Sequence, residues 1–224
     1  MYRGGKREWI KVIEQTSRAT SEDADKRSRT ATRRRLLTSS AVVFAEKGID
    51  GASIGELCAA AGFTRGAFYS NFETKLDLAV AVFENLVDSL IDRLDSELDQ
   101  WLDSDANTEE IVTRIIEGVT DQSSNMNVQA VRLELFLAAF RSSEIRDVVR
   151  PMRNKLYGAV ESALGRVADS QHLEFTIPAA DMTRLMLTSY SGQLTDRMAM
   201  GEITDQKVIP TMWLAFTRPA TRKP

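Results

Sequence analysis

The chain has 224 residues, 43% hydrophobic and 27% charged, which is the composition of an ordinary globular protein long enough to bury a real core. It contains no run of about eighteen uncharged apolar residues, and no apolar segment follows the positive charges of MYRGGKREWI; neither a membrane span nor a signal peptide is supported, and a cytoplasmic location is expected. The single cysteine, Cys58, and single histidine, His172, exclude an intramolecular disulfide and a Cys/His zinc site; His172, between Asp169 and Glu174, reads as a lone imidazole in a polar loop rather than a metal ligand, and no cofactor is expected.

The formal net charge of −3 conceals an asymmetry. Residues 1–75 hold fourteen Lys/Arg against nine Asp/Glu, which leaves fifteen against twenty-three for residues 76–224. A basic front and an acidic remainder direct any polyanion contact to the N-terminal third. Uneven surface charge is also common in proteins that bind no polyanion, so charge alone does not decide this.

Apolar residues recur at spacings of three and four almost throughout, which predicts an all-α protein. Residues 1–29 form an N-terminal extension. Trp9, Ile10, Val12 and Ile13 can make a short amphipathic turn, and SRATSEDADKRSRT reads as a flexible linker. Thr32 is placed to cap a helix that turns Leu36, Leu37, Ala41 and Phe44 inward, and Gly48 to stop it, followed by a turn at Asp50-Gly51.

Ser53-Ile54-Gly55-Glu56 has the pattern of a capping box. Ile54, Leu57, Cys58 and Ala61 then form the buried stripe of a two-turn helix ended by Gly62, with Cys58 as a small packing residue. In GFTRGAFYSNFETK, Thr64 as N-cap puts Phe63 and Phe68 at the positions of a hydrophobic staple. Phe68 and Phe72 share the inward face, while Gly66, Tyr69 and Ser70, with Ala67 and Arg65 beside them, form an outward face of little bulk. A face of that kind can enter a nucleic-acid groove. Thr74 caps a long amphipathic run to Trp101, and Lys75 in its first turn adds charge to exposed backbone N–H groups, a phosphate-binding arrangement.

Two short helices joined by a tight turn and followed by a third match the helix-turn-helix arrangement. The run AVVFAEKGIDGASIGELCAAAGFTRGAFYSNFETKLDL resembles the DNA-binding signature of the TetR family of transcriptional regulators, with Phe44, Glu46, Gly48, Ser53, Ile54, Ala61, Gly62, Phe63, Thr64, Gly66, Phe68, Tyr69, Phe72 and Lys75 in register. Ile49, Ala52 and Cys58 depart from the common residues conservatively, and Ser70-Asn71 stands where His-Tyr is frequent, which bears on the operator read.

The resemblance implies phosphate contacts by Ser53, Thr64, Tyr69 and Lys75, and base-edge contacts by Arg65, Gly66, Ala67 and Ser70. It also implies a backbone or minor-groove arm that includes Arg33 and Arg34, with Lys26, Arg27, Arg29 and Arg35 beside them; a solvated charge run is the alternative. Residues 30–75 would then be the DNA-binding domain, 76–217 a helical effector-binding and dimerisation domain, and 218–224 a disordered tail.

Further helices are expected at about 108–123, 127–141, 144–168, 178–200 and 205–217, with breaks at Asn125, Ser142-Ser143, Asp169 to Thr176, and Gly201. Met126, Phe136, Phe140, Met152, Tyr157, Met182 and Met186 are candidate pocket residues for a largely apolar or aromatic effector, although such residues also make plain core. Tyr190 and Leu194 on one helix, with Val208, Ile209, Met212, Trp213 and Phe216 on the next, are candidates for a homodimer interface built as a four-helix bundle. Pro210 is expected to shorten or bend the last helix.

The function implied is a ligand-responsive repressor that binds a palindromic double-stranded operator as a homodimer. The competing reading is a helical ligand-binding or protein-interaction module without sequence-specific DNA binding. An enzyme is not expected: Asp92, Asp95, Asp99 and Asp103 repeat at helical spacing but lack the Glu-x-x-His partners of a carboxylate metal site.

Overall fold

The computed structural model describes residues 30–220 apart from 105–107, 109, 113–121 and 202–206, with the backbone alone at 122–126 and 128. The N-terminal extension with Lys26, Arg27 and Arg29, and the last four residues, lie outside the described part.

Helix α1 runs over residues 30–51 and buries Leu36, Leu37, Ala41 and Phe44 as the spacing predicts. It is already helical at residue 30, so Thr32 lies within the helix and does not cap it. Gly48 takes the expected left-handed φ of 72°, yet the Ala52 N–H still reaches Gly48 O at 3.2 Å, so Asp50-Gly51 belongs to one further helical turn. A Cβ at Gly48 would also stand 3.2 Å from Glu134 Oε1, a flexible side-chain end that can give way, so it is the left-handed backbone angle that calls for glycine.

Helix α2, Ile54–Ala61, and α3, Arg65–Tyr69, follow, and then α4, Lys75–Leu102, 28 residues long. At 1.5 Å per residue α4 spans about 42 Å. Beyond it come α5, Gln122–Arg141; α6, Ser143–Ser170; α7, Ala179–Met200; and α8, Val208–Phe216. The expected break at Asn125 is absent, because α5 runs through it; Asn is a weak helix former but no steric barrier. Ser142 caps α6, and Gly201, at φ 70°, ends α7. Pro210 does not bend α8, since it is the third helical residue, where the backbone N–H has no acceptor within the helix.

Two short strands correct the all-helical expectation locally. β1, Leu173–Phe175, pairs antiparallel with β2, Thr217–Pro219, in the register Leu173 with Pro219 and Phe175 with Thr217. Thr176 N–H to Phe216 O at 2.9 Å and Ala220 N–H to His172 O at 2.8 Å extend the ladder. Arg218 and Pro219, expected in a disordered tail, are therefore held in a ribbon, and Arg218 Nε donates to Glu174 at 2.8 Å. The two strands are three residues each and lie far apart in sequence, so no local periodicity reveals them.

Among the described residues the apolar side chains form two cores, both crossed by α4. The proximal one joins α1, α2 and α3 through Leu78, Val82 and Val87 of α4 to Val131 and Leu135 of α5 and Val149 and Met152 of α6. The distal one gathers Leu94 and Leu98 of α4 with Leu164, Val167, Met182, Met186, Ile209 and Trp213. Phe175 of β1 meets Trp213 edge to face at 5.5 Å. The N-terminal helices thus share a core with α5 and α6, so movement of that helix pair perturbs their packing.

The acidic face of α4 is solvated and tied across to α6: Lys155 Nζ lies 2.6 Å from Asp88 Oδ1, and Arg166 pairs with Asp99. Among the described residues no helix is long and apolar enough to cross a membrane, and no three His, Cys, Asp or Glu side chains converge as a metal site.

Candidate nucleic-acid interface

The turn from α2 to α3 is fixed by caps. Ser53 Oγ accepts the Glu56 N–H at 3.2 Å, and Glu56 Oε2 accepts the Ser53 N–H at 2.9 Å and the Ser53 hydroxyl at 2.8 Å. Lys47 also pairs with Glu56. That ammonium, together with the Ser53 donors, holds the Glu56 carboxyl down at about 2. Gly62 closes α2 in the left-handed region at φ 72°. Thr64 opens α3 by accepting the Ala67 N–H at 3.4 Å.

The two faces of α3 separate as expected. Phe68 is fully buried and Phe72 nearly so, their ring centroids 6.1 Å apart, whereas Tyr69 is 59% exposed and stands edge-on to Phe68 at 5.3 Å. Arg65, Gly66 and Ser70 are also exposed, and Ala67 is half-buried. The buried phenylalanines fix the helix, and the small outward residues leave room for close approach to a groove.

Arg65 has a position that spacing does not reveal. A Cβ built on Gly55 would lie 3.4 Å from an Arg65 guanidinium nitrogen and 3.8 Å from Ser53 Oγ. Arg65 therefore folds back over the first turn of α2, beside Ser53, and Gly55 makes the space. The only sequence signal was a glycine within a helix, where a close approach is the usual reason.

Ser70 and Asn71 close α3. The Ser70 hydroxyl donates to Ala67 O at 2.9 Å, and Asn71 Nδ2 donates to Ala67 O at 2.8 Å and to Ser70 Oγ at 3.2 Å. Lys75 is engaged inside the domain: its ammonium donates to Asp50 O at 3.0 Å and Ala52 O at 2.7 Å, joining the start of α4 to the end of α1. An ammonium has three donors, so one stays available to an anion. Arg33 stacks on Phe72 at 5.3 Å and Arg35 on Phe63 at 5.6 Å, while Arg34 is exposed. These rings hold two of the basic residues of α1 against the domain.

Residues 36–82 match the family model described as bacterial regulatory proteins, tetR family. The N-terminal domain belongs to the TetR family. The whole chain is also similar in fold to solved structures. A TetR-family transcriptional regulator from Mesorhizobium loti shares 15% identity over 84% of this chain and 96% of its own, with a TM-score of 0.65. A transcriptional regulator from Saccharomonospora viridis, in complex with choline, shares 16% over 83% and 95%, with a TM-score of 0.66. The regulator FadR from Bacillus subtilis, in complex with stearoyl-CoA, shares 17% over 81% and 95%, with a TM-score of 0.63. At such identities the likeness is one of fold. No curated protein sequence matches the chain.

In the C-terminal part of the chain, the six candidate pocket residues whose side chains are described do not converge on one cavity. Met182 and Met186 are buried in the distal core and Met152 in the proximal one. Phe136 and Tyr157 are half-buried, Phe140 is 82% exposed, and the Met126 side chain lies outside the described part. Phe136 and Phe140 line a groove of about 560 Å³ between α5 and α6, together with Arg146, Val149, Arg150 and Arg153. A second cavity, about 340 Å³, lies where Ile49, Lys75 and Leu76 meet Glu134, Leu137 and Arg141.

The candidate interface residues also divide. Ile209, Trp213 and Leu194 are buried in the chain's own core, and Tyr190 is half-buried, its phenol pushed up by that burial. Met212 and Phe216 pack partly against the same core. Val208 is exposed, and so is Leu214, at 58%, which the sequence did not single out.

Proposed function

We propose that this chain is a homodimeric, ligand-responsive transcriptional regulator, a repressor released from a palindromic operator by a small effector with a largely apolar or aromatic body. The observation that carries this reading is the outward face of α3, where Arg65, Gly66, Tyr69 and Ser70 stand exposed above a buried Phe68 and Phe72. Ser53, Thr64, Tyr69 and Lys75 would position the phosphates, and Arg65, Gly66, Ala67 and Ser70 would face the bases, with Arg33 and Arg34 along the backbone. Dimerisation would use the outer sides of α7 and α8, where Leu185, Val208 and Leu214 are exposed.

Coupling follows from the packing. Glu134 of α5 rests on Gly48 at the end of α1, and the proximal core joins α5 and α6 to α2 and α3. An effector that binds one arrangement of α5 and α6 better than the other would change the distance between the two recognition helices; a shift from 1:99 to 99:1 takes about a 10⁴-fold preference.

The test is selection of bound duplexes from a random pool. The expected product is a palindrome whose half-sites lie about one helical turn apart. Enrichment of no sequence would favour the binding-module reading.

A further inference from the structure

The groove between α5 and α6 combines aromatic rings and guanidinium groups on one surface. Phe136 and Phe140 come from α5; Arg146, Arg150 and Arg153, at the three-and-four spacing of one helix face, come from α6. Arg153 stacks on Tyr157 at 4.1 Å, and a fourth guanidinium, Arg132, stacks on Phe136 at 4.9 Å while its Nε donates to Gln129 Oε1 at 2.9 Å. Gln129 is itself buried and fixed by Ser191 O and Thr195 Oγ1. Rings and charges thus form one connected wall.

Negative charge does not balance this wall. Among the described residues the only carboxylate bridging to these four guanidiniums is Asp147, 3.2 Å from Arg150. Arg146 donates to a backbone carbonyl, Ala139 O, at 3.3 Å. Burial works against the charge of Arg132, and Tyr157 opposes it. A guanidinium does not escape such an environment by losing its proton, so beyond the Phe136 ring and the Gln129 hydrogen bond a bound anion would offset the burial further. Stacking occupies the faces of Arg132 and Arg153 but leaves their edge donors for a carboxylate or phosphate.

Phe140, 82% exposed, supplies apolar surface at the same groove. The volume, about 560 Å³, suits a small molecule rather than a single ion. We propose that the α5–α6 groove is the effector site and that its ligand is an organic anion. The carboxylate or phosphate head is held by Arg153, with Arg132 adding charge behind the Phe136 and Tyr157 rings, and the apolar body lies on Phe136 and Phe140 toward Arg146. This assignment rests on the reading of the chain as a ligand-responsive regulator and names the chemical class of that ligand.

The experiment is calorimetric titration of the full chain with four probes of one tail length: octanoate, octyl phosphate, octan-1-ol and octyltrimethylammonium. At least one anion should bind about tenfold or more tighter than the alcohol, and the cation more weakly than either anion; the better anion identifies the headgroup. Arg153→Gln should lose about tenfold or more for that anion while the alcohol changes less than about twofold. Arg132→Gln should show the same loss and melt no lower than the parent chain without ligand, since it removes a buried charge.

Equal affinity for anion and alcohol, preference for the cation, binding of no probe, or unchanged anion affinity in both variants would each overturn the proposal. A much lower melting temperature in Arg132→Gln with undiminished anion binding would also overturn it, leaving those side chains a structural role. Duplex selection on the same preparation separates the two readings. Loss of sequence selectivity with intact anion preference removes the regulator and leaves the site, and the converse removes only the site.

Discussion

The recognition unit and the α5–α6 groove use the same residue types in opposite ways. At α3 the aromatic residues Phe68 and Phe72 turn inward and the exposed Arg65 turns out, so one helix separates its packing from its contact surface. In the groove, Arg132 lies on Phe136 and Arg153 on Tyr157, so rings and cations share a surface that two helices build together. The first arrangement suits a large, regular polyanion approached from solvent; the second suits a small amphipathic one laid in an open groove between two helices. The difference lies in solvation: charge at α3 remains in water and screened, whereas charge at Arg132 is partly withdrawn from it.

The largest effect should come from removing the buried half of α3. Phe68→Ala takes a fully buried ring from the proximal core and should cost about 3–5 kcal/mol of stability, read by chemical denaturation, with loss of duplex binding. Loss of duplex binding without that loss of stability would break the division of labour assigned to the two faces. Removing the exposed half should act on binding alone: Arg65→Ala should lower affinity for the selected operator by about 1–3 kcal/mol, with the melting temperature essentially kept. Full specificity retained in a binding titration would remove Arg65 from the contact set.

Gly55→Ala is a smaller and more discriminating change. The new methyl group meets the Arg65 guanidinium at 3.4 Å, and that flexible side chain can move. Alanine should raise helix stability by up to about 0.5–1 kcal/mol while displacing Arg65 from Ser53, so stability and operator affinity should move in opposite directions. A parallel rise in both, by melting and titration, would show that Arg65 does not need its place over α2.

The smallest effect concerns pH. Glu56 has its folded-state pKa lowered from 4.5 to about 2, chiefly by Lys47, so its contribution is present above 4.5 and is lost as pH falls from there toward 2. The pair is exposed and the effect modest. Denaturation profiles of the parent chain and Glu56→Gln should converge as pH falls through that window; parallel profiles would deny the cap a titrating role.

How much could be read in advance differs between these regions. Ser53-x-x-Glu56, Gly62, Thr64 and Thr74-x-x-Asp77 are contacts between residues three or four apart, and each forms the cap expected of it. Phe68 and Phe72 follow equally from spacing. The proposed pocket residues are less legible: Met182 and Met186 lie in the distal core while Phe136 and Phe140 line the α5–α6 groove, because a methionine or phenylalanine at helical spacing carries no mark of which neighbour covers it. Trp213 and Ile209 show the same limit at α8, whose apolar stripe suits a subunit interface and the chain's own core equally well and here is buried in that core.

By itself, then, the sequence determined the helical character of the chain, the capped helix-turn-helix and the residues on each side of α3, since these depend on interactions within one or two turns. Only the tertiary structure decided the pairing of Leu173–Phe175 with Thr217–Pro219, the placement of Arg65 over Gly55, the contact of Glu134 with Gly48, and the collection of guanidiniums between α5 and α6. Each of these joins separate segments whose distance in space is set by the packing of helices, a cooperative outcome of the whole core that no local pattern encodes.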